Sequence, residues 1–272
     1  IKDIDTTFGY IKSYSNILTC NKSKSTLSLY IKDSDTPYKL KNEYSAFTGE
    51  KKGDKVKEGD LKTPIGVYNI TKKISKLDSF YGPLAFVTSY PNSYDKYRGK
   101  NGSGIWIHGL PTEQEREEFT KGCIAINNSN IECLDENIDI DKTLLIINSI
   151  TLKKQISKKT LSSILSALYS WRYAWLYNDI DKYLEFYASD FIRFDGMNYE
   201  KFKRYKKRIF KKNDKKIIIF KDINIIPYPD SSNIYQVTFN EFYKSNSFEF
   251  TGNKTLMIRI DDNSAIKIFT EK

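Results

Sequence analysis

The sequence predicts a mixed fold in two parts, a β-rich domain followed by an α+β domain whose curved antiparallel sheet wraps a long helix. Three observations point there. Short apolar runs with period two fill the first 150 residues, separated by Gly, Pro, Asn and Asp clusters. A helical apolar stripe follows, and after the helices come strands only, the order expected of an α+β unit. A chain of 272 residues also suits two domains better than one.

Taken in order, Ile4, Phe8, Ile11, Ile17 and Leu18 recur at loosely helical spacing, so an N-terminal helical segment is expected over 1–19. From Thr26 the period changes, because Leu27, Leu29 and Ile31 alternate with Ser28, Tyr30 and Lys32 as in a half-buried strand. Further strand-like runs are Tyr44 to Phe47, Val67 to Ile70, Leu84 to Tyr90, Ile105 to Ile107 and Thr143 to Ile150. Pro111 to Thr120 is charged and reads as a helical turn, and Asn128 to Asn130 reads as a cap before a short helix at Ile131 to Glu136. The lysine-rich stretch Thr151 to Lys159 marks the boundary, giving a first domain over 20–152 and a second over 153–272.

In the second domain Leu161, Ile164, Leu165, Leu168, Trp171 and Trp175 recur at three-and-four spacing, the core stripe of a long helix. Helices are expected at Asp181 to Tyr187 and Tyr199 to Lys212. Strands follow at Ile217 to Phe220, Ile223 to Ile226, Ile234 to Phe242, Phe248 to Gly252, Thr255 to Ile260 and Ala265 to Phe269.

Composition excludes several classes. Hydrophobic residues at 39% and aromatics at 14% can fill cores, which a disordered chain cannot do, and no apolar run is long enough for a membrane-spanning helix. A folded soluble protein is expected. The chain opens at Ile1 instead of Met, so an export signal is expected to have been removed. The net charge of +10 is uneven: 21 basic against 20 acidic residues over 1–152, and 23 against 14 over 153–272. Lys201 to Lys216 alone holds ten basic residues and one acidic. Its apolar stripe of Phe202, Tyr205, Ile209 and Phe210 anchors a helix to its own sheet and leaves a basic outer face suited to an anionic wall polymer or membrane surface. Nucleic acid is not the expected partner.

Cys20, Cys123 and Cys133 are an odd number with no CxxC pair, so at least one thiol is unpaired within the chain. His108 is the only histidine, at the end of the strand Ile105-Trp106-Ile107, and Cys123 follows fifteen residues later. A histidine and a thiol bracketing one loop are the minimum for thiolate chemistry, since an imidazole beside sulfur favours the thiolate and can return the proton to a leaving amine. The same residues are also compatible with plain structural roles, a surface histidine and a core cysteine. A zinc site from His108, Cys123 and Cys133 fits no standard spacing, and neither metal nor cofactor is expected.

Three segments in order carry a family resemblance: Gly59-Asp60-Leu61-Lys62-Thr63-Pro64-Ile65-Gly66-Val67-Tyr68, then Ile105-Trp106-Ile107-His108-Gly109, then Thr120-Lys121-Gly122-Cys123-Ile124-Ala125. Together they resemble the YkuD-type L,D-transpeptidase catalytic domain. The resemblance implies a β-rich fold in which Cys123 attacks a peptide carbonyl, His108 is its base and the Gly109 carbonyl orients the imidazole. Main-chain N–H groups around Gly122 and Cys123 then serve the oxyanion. Trp106, Lys121, Lys62, Thr120 and Ala125 are the expected substrate-contacting positions, the two lysines as cations for stem-peptide carboxylates.

Cross-linking members of that family commonly carry Ser-His-Gly-Cys with Arg or Asn two residues after the nucleophile, where this chain has Thr120-Lys121-Gly122-Cys123 and Ala125. The Thr-x-Gly-Cys-Ile-Ala form, with Tyr90-Pro91-Asn92 and Asp95, is similar to members that hydrolyse L,D bonds. The second half, through Trp171 to Trp175, Asp179 to Tyr187 and Asp190-Phe191 before its strands, resembles the cone-shaped nuclear-transport-factor-like (SnoaL-like) domains. The pairing looks like the cell-shape-determining LD-carboxypeptidases of helical Gram-negative bacteria. That resemblance implies a periplasmic enzyme that removes the terminal D-Ala from tetrapeptide stems. Its implied partners are muropeptides, a glycan or wall ligand at the C-terminal domain, and a second copy of the chain. An L,D-transpeptidase and a non-catalytic wall-binding protein are the alternative readings.

Overall fold

The computed structural model describes residues 5–33, 37–113, 118–150 and 156–272. The chain separates into two compact units, Tyr14–Lys153 and a second made of Ile1–Ser13 with Lys154–Lys272.

In the first unit the strands are β1 (Asn16–Asn21), β2 (Thr26–Ile31), β3 (Lys39–Ser45), β4 (Gly66–Ile74), β5 (Ala85–Thr88), β6 (Trp106–His108), β7 (Ile124–Ala125) and β8 (Thr143–Asn148). They form one eight-stranded sheet in the order β3-β2-β1-β8-β4-β5-β6-β7. The sheet curls. Phe47, just past β3, exchanges both main-chain hydrogen bonds with Ala125 of β7, at 2.8 and 2.9 Å, so the two ends of the strand order meet. Central β8 is buried along its whole length, which is why Leu144 to Ile147 reads as a continuous apolar run instead of an alternating one. The core gathers Leu18, Leu29, Tyr68, Phe86, Ile107 and Leu145 with Ile131 and Leu134 of helix α2 (Asn128–Asn137). A short helix α1 (Ser93–Tyr97) opens with a capping box in which Asn92 and Asp95 each accept the other's main-chain N–H.

In the second unit helices α3 (Lys158–Leu176), α4 (Ile180–Glu185) and α5 (Tyr199–Phe210) precede the curved antiparallel sheet β12-β11-β10-β9. Its strands are β9 (Ile217–Pro227), β10 (Ile234–Lys244), β11 (Glu249–Ile260) and β12 (Ile266–Glu271). The α3 stripe of Leu161, Ile164, Leu168 and Trp171 is buried as its spacing requires. Each such side chain contributes about 1.5–3 kcal/mol of burial. Trp171 stacks between Tyr183 and Phe220.

Several expectations change. The two short runs at 217–226 are one strand, as are the two at 248–260. A bulge near Asp222, whose φ is +53°, bends β9 without ending it. The helix expected over 1–19 is absent among the described residues 5–19. Residues 16–21 are β1, and the preceding segment is a series of bends joined to β9 by one bridge at Tyr10. Tyr10 and Ile225 exchange main-chain hydrogen bonds at 2.9 and 2.7 Å, and Asn224 Oδ1 accepts the N–H of Lys12 at 2.8 Å and of Ser13 at 3.1 Å. Gly9 permits this approach, because a Cβ there would lie 2.1 Å from the Ile225 carbonyl oxygen. Residues 114–117 of the expected helical turn and 151–155 of the expected linker lie outside the described residues. Lys158 and Lys159 belong to α3.

Candidate active site

Strands β6 and β7 are parallel neighbours, with Ile107 opposite Ile124 and His108 opposite Ala125. Extending that register by one residue sets Cys123 opposite Trp106. Trp106, His108 and Cys123 then share one face of the sheet. Tyr81 lies by both positions, with its ring 5.1 Å from the His108 ring and its hydroxyl under the influence of Cys123.

His108 is buried, and its Nδ1 lies 2.6 Å from the Gly109 carbonyl oxygen. A carbonyl only accepts, so Nδ1 carries the proton and Nε2 is the basic nitrogen. Gly109 is required by packing, since a Cβ there would meet Asn128 Oδ1 at 2.4 Å and Pro83 Cδ at 2.9 Å. Asn128 in turn accepts the Leu110 N–H at 2.7 Å, which ties the loop after His108 to the first turn of α2.

The Cys123 turn is organised by Thr120. Its hydroxyl accepts the Gly122 N–H at 3.0 Å and donates to the Cys123 carbonyl at 2.7 Å. Gly122 has φ +137°, and a Cβ there would lie 2.9 Å from the Lys62 carbonyl oxygen, so the position needs glycine on both counts. With its N–H bonded to Thr120, Gly122 is not available as an oxyanion donor. The Cys123 N–H is the remaining donor of that pair. Cys123 Sγ donates to the Gly104 carbonyl at 3.4 Å. Burial pushes the thiol up from its ordinary value, against the Trp106 main-chain N–H and the Lys55 ammonium, which both work downward. Burial and these two neighbours thus act on the sulfur in opposite directions.

The other expected contact residues divide. Half-buried Trp106 lies against Tyr81 at 5.1 Å between ring centroids, and Tyr81 also meets the His108 ring edge-on at 5.1 Å. Lys121 is exposed beside the turn. Lys62 is half-buried, and its carbonyl packs on Gly122 while its N–H donates to Asp60 at 3.2 Å. Ala125 is fully buried and joined to Phe47, so it is floor beneath the site. Thr120 is a positioning residue, with its hydroxyl bonded on both sides.

Two neighbours carried no sequence signal of their own. Tyr81 sits on a short turn capped by Asp78, and its hydroxyl is pushed up by burial and then by the Cys123 and Asp78 charges. Lys55 is almost fully buried, with Nζ 2.9 Å from Asp60 Oδ1 and 3.1 Å from the Lys57 carbonyl. Asp60 also accepts the N–H groups of Val56, Lys57 and Lys62. Burial alone would raise Asp60, but Lys55 and those N–H groups hold it well below the usual carboxylate range. This loop gives the Gly59 to Tyr68 motif a physical task, which is to back the Cys123 turn.

The second unit buries a separate polar cluster. Glu271 accepts from Tyr187 at 3.0 Å and pairs with Lys254 at 3.4 Å. Burial pushes its carboxyl up, but Lys254 and Lys206 outweigh that and hold it low. The Lys206 ammonium lies 5.2–5.3 Å from the rings of Trp175, Tyr183 and Phe202, and burial lowers it to about 8. Glu241 Oε2 is buried with no hydrogen-bond partner among the described residues.

Residues 15–147 match the L,D-transpeptidase catalytic domain (YkuD), and residues 163–272 match the Cds6 C-terminal NTF2-like domain. Among solved structures, the helical cell shape determining protein Pgp2 from Campylobacter jejuni is 38% identical over 99% of this chain and 96% of that chain, with a TM-score of 0.90. Bd1075 from Bdellovibrio bacteriovorus is 26% identical over 99% of this chain and 97% of that one, with a TM-score of 0.77. The L,D-transpeptidase-type protein YafK of Escherichia coli K12 is 33% identical over 113 residues, 41% of this chain and 42% of its own length. The chain thus spans less than half of the curated relatives it matches, and nearly all of Pgp2. This chain belongs to the family in which a YkuD-type L,D-transpeptidase domain is followed by an NTF2-like domain.

Proposed function

We propose that the protein is a periplasmic LD-carboxypeptidase that removes the terminal D-Ala from peptidoglycan tetrapeptide stems and thereby influences cell shape. The observation that carries this reading is the buried imidazole whose tautomer is fixed by Gly109, on a strand paired with β7, which Cys123 directly precedes. Nε2 of His108 takes the Cys123 proton as sulfur attacks the diaminopimelate carbonyl. The Cys123 N–H supports the oxyanion, and His108 returns the proton to the D-Ala amine as the C–N bond breaks. Water, deprotonated by the same imidazole, then cleaves the thioester and releases the tripeptide. Trp106 and Tyr81 form the wall against which the stem lies, and Lys121 is the exposed cation beside it. In the second unit, the Lys206, Lys254 and Glu271 cluster with its aromatic rings supports a site for a wall ligand.

The test is mass spectrometry of muropeptide products after incubation of tetrapeptide substrates with the protein and with Cys123→Ala. D-Ala and tripeptide from the first alone support the proposal. Equal release by both, or none by either, contradicts it. A cross-linked dimer product makes the protein a transpeptidase.

A further inference from the structure

Helix α5 concentrates the charge excess on one side. The twelve residues 201–212 hold eight basic side chains and no acidic one. At 3.6 residues per turn, Lys201, Arg204, Lys207, Arg208, Lys211 and Lys212 fall in one arc of roughly 140°. Phe202 and Phe210, on the other side, are buried. All six cations are exposed, and among the described residues none of them stands in an ion pair. Glu200, in the first turn, is the single acid of α5 within that arc, and Asp195 in the turn before the helix is paired with Arg193. Lys201 with Arg204, Arg204 with Arg208 and Lys207 with Lys211 stand at the three-and-four spacings where like charges repel. A face that served solubility alone would intersperse both signs.

The turn that leads into α5 adds apolar groups at the edge of this face. Phe194 is 61% exposed and Ile192 39% exposed. The Arg193 guanidinium lies 5.8 Å from the Phe194 ring and 5.4 Å from the Tyr205 ring of α5, which places Phe194 beside the cations. Positive charge of one sign flanked by large exposed apolar side chains matches a partner with negative charge over an apolar interior. A soluble polyanion would engage the cations and leave Phe194 and Ile192 in water. Single-stranded nucleic acid would require exposed rings interleaved with the cations, and the rings on α5 itself are buried or half-buried.

We infer that the outer face of α5, with Phe194 at its margin, docks the protein on an anionic phospholipid surface. The docking is peripheral, since no described helix is long and apolar enough to cross a membrane. It rests on residues of the second unit alone and stands whether or not Cys123 is catalytic.

The experiment is flotation of the whole protein with phosphatidylglycerol-containing vesicles and with neutral phosphatidylcholine vesicles. The protein is expected to float with the anionic vesicles only, and to be released by high salt. A variant carrying Arg204→Glu, Arg208→Glu and Lys211→Glu should lose at least about 100-fold in partitioning, since each basic residue near such a surface is worth about fivefold. Phe194→Ser should weaken binding several-fold while keeping its salt dependence. Circular dichroism confirms that the variants are folded, and the lipid and salt series on the unaltered protein decides the matter if they are not. Equal binding to neutral vesicles, no binding to anionic ones, or undiminished binding by the folded triple variant overturns the proposal. Binding to soluble polyglutamate without flotation overturns the lipid assignment.

Discussion

The Thr120 hydroxyl donates to the Cys123 carbonyl at 2.7 Å while accepting the Gly122 N–H at 3.0 Å, so one side chain sets the conformation of the nucleophile's turn. Thr120→Val keeps the shape and removes both bonds, leaving a buried N–H unpaired at a cost of about 1–3 kcal/mol. D-Ala release should fall about 10- to 100-fold, because a displaced nucleophile misses its carbonyl. Thr120→Ser should restore it. Steady-state kinetics with a melting curve for each variant makes the comparison, and full activity in folded Thr120→Val would rule out the positioning role.

Cys123 should alkylate slowly at neutral pH for an accessible thiol, because burial pushes its ionisation upward. Lys55 works against that push. Lys55→Met should therefore move the midpoint of the iodoacetamide rate profile to still higher pH. The rate at any fixed pH below that midpoint should drop. A midpoint left where it was would show that the ammonium does not act on the sulfur.

Thiol counting separates the three cysteines. Cys20 is fully buried between strands, and burial pushes its thiol to about 12. Cys123 and Cys133 are half-buried. Ellman titration of the native protein is expected to detect Cys123 and Cys133, with Cys20 appearing only in denaturant. Immediate reaction of all three would contradict this packing.

Asp60 has a depressed folded-state ionisation, so its contribution to stability is complete above the unfolded carboxylate value and is lost as pH falls through the folded one. Asp60→Asn should lower the melting temperature at neutral pH, by about 3 kcal/mol in stability, since it strips the buried Lys55 of its charge partner. The gap between variant and parent should shrink below about pH 4. A gap independent of pH would mean that Asp60 acts through shape alone.

The strand that ends at His108 and the one that follows Cys123 are legible in the sequence because their apolar neighbours are local. Helix α3 is legible too, since its stripe buries at the spacing in which it is written. Residues 5–13 form no helix despite their spacing, because their partners Asn224 and Ile225 lie more than two hundred positions away on β9 and hold the backbone there. Lys55 carries no local signal, standing among Lys51, Lys52 and Lys57. Only the fold brings Asp60 and the Cys123 turn against it. Gly122 was assigned to the oxyanion because its backbone can approach a substrate, and the Thr120 hydroxyl claims that N–H first.

The most direct measurement is the intact mass of the protein quenched during turnover of a tetrapeptide muropeptide. The account predicts a tripeptide-sized acyl adduct that maps to Cys123, is sensitive to hydroxylamine, and is absent from Cys123→Ser. It also predicts that His108→Gln forms the adduct at least about 100-fold more slowly. D-Ala release with no adduct on Cys123, and at an undiminished rate in His108→Gln, would contradict it.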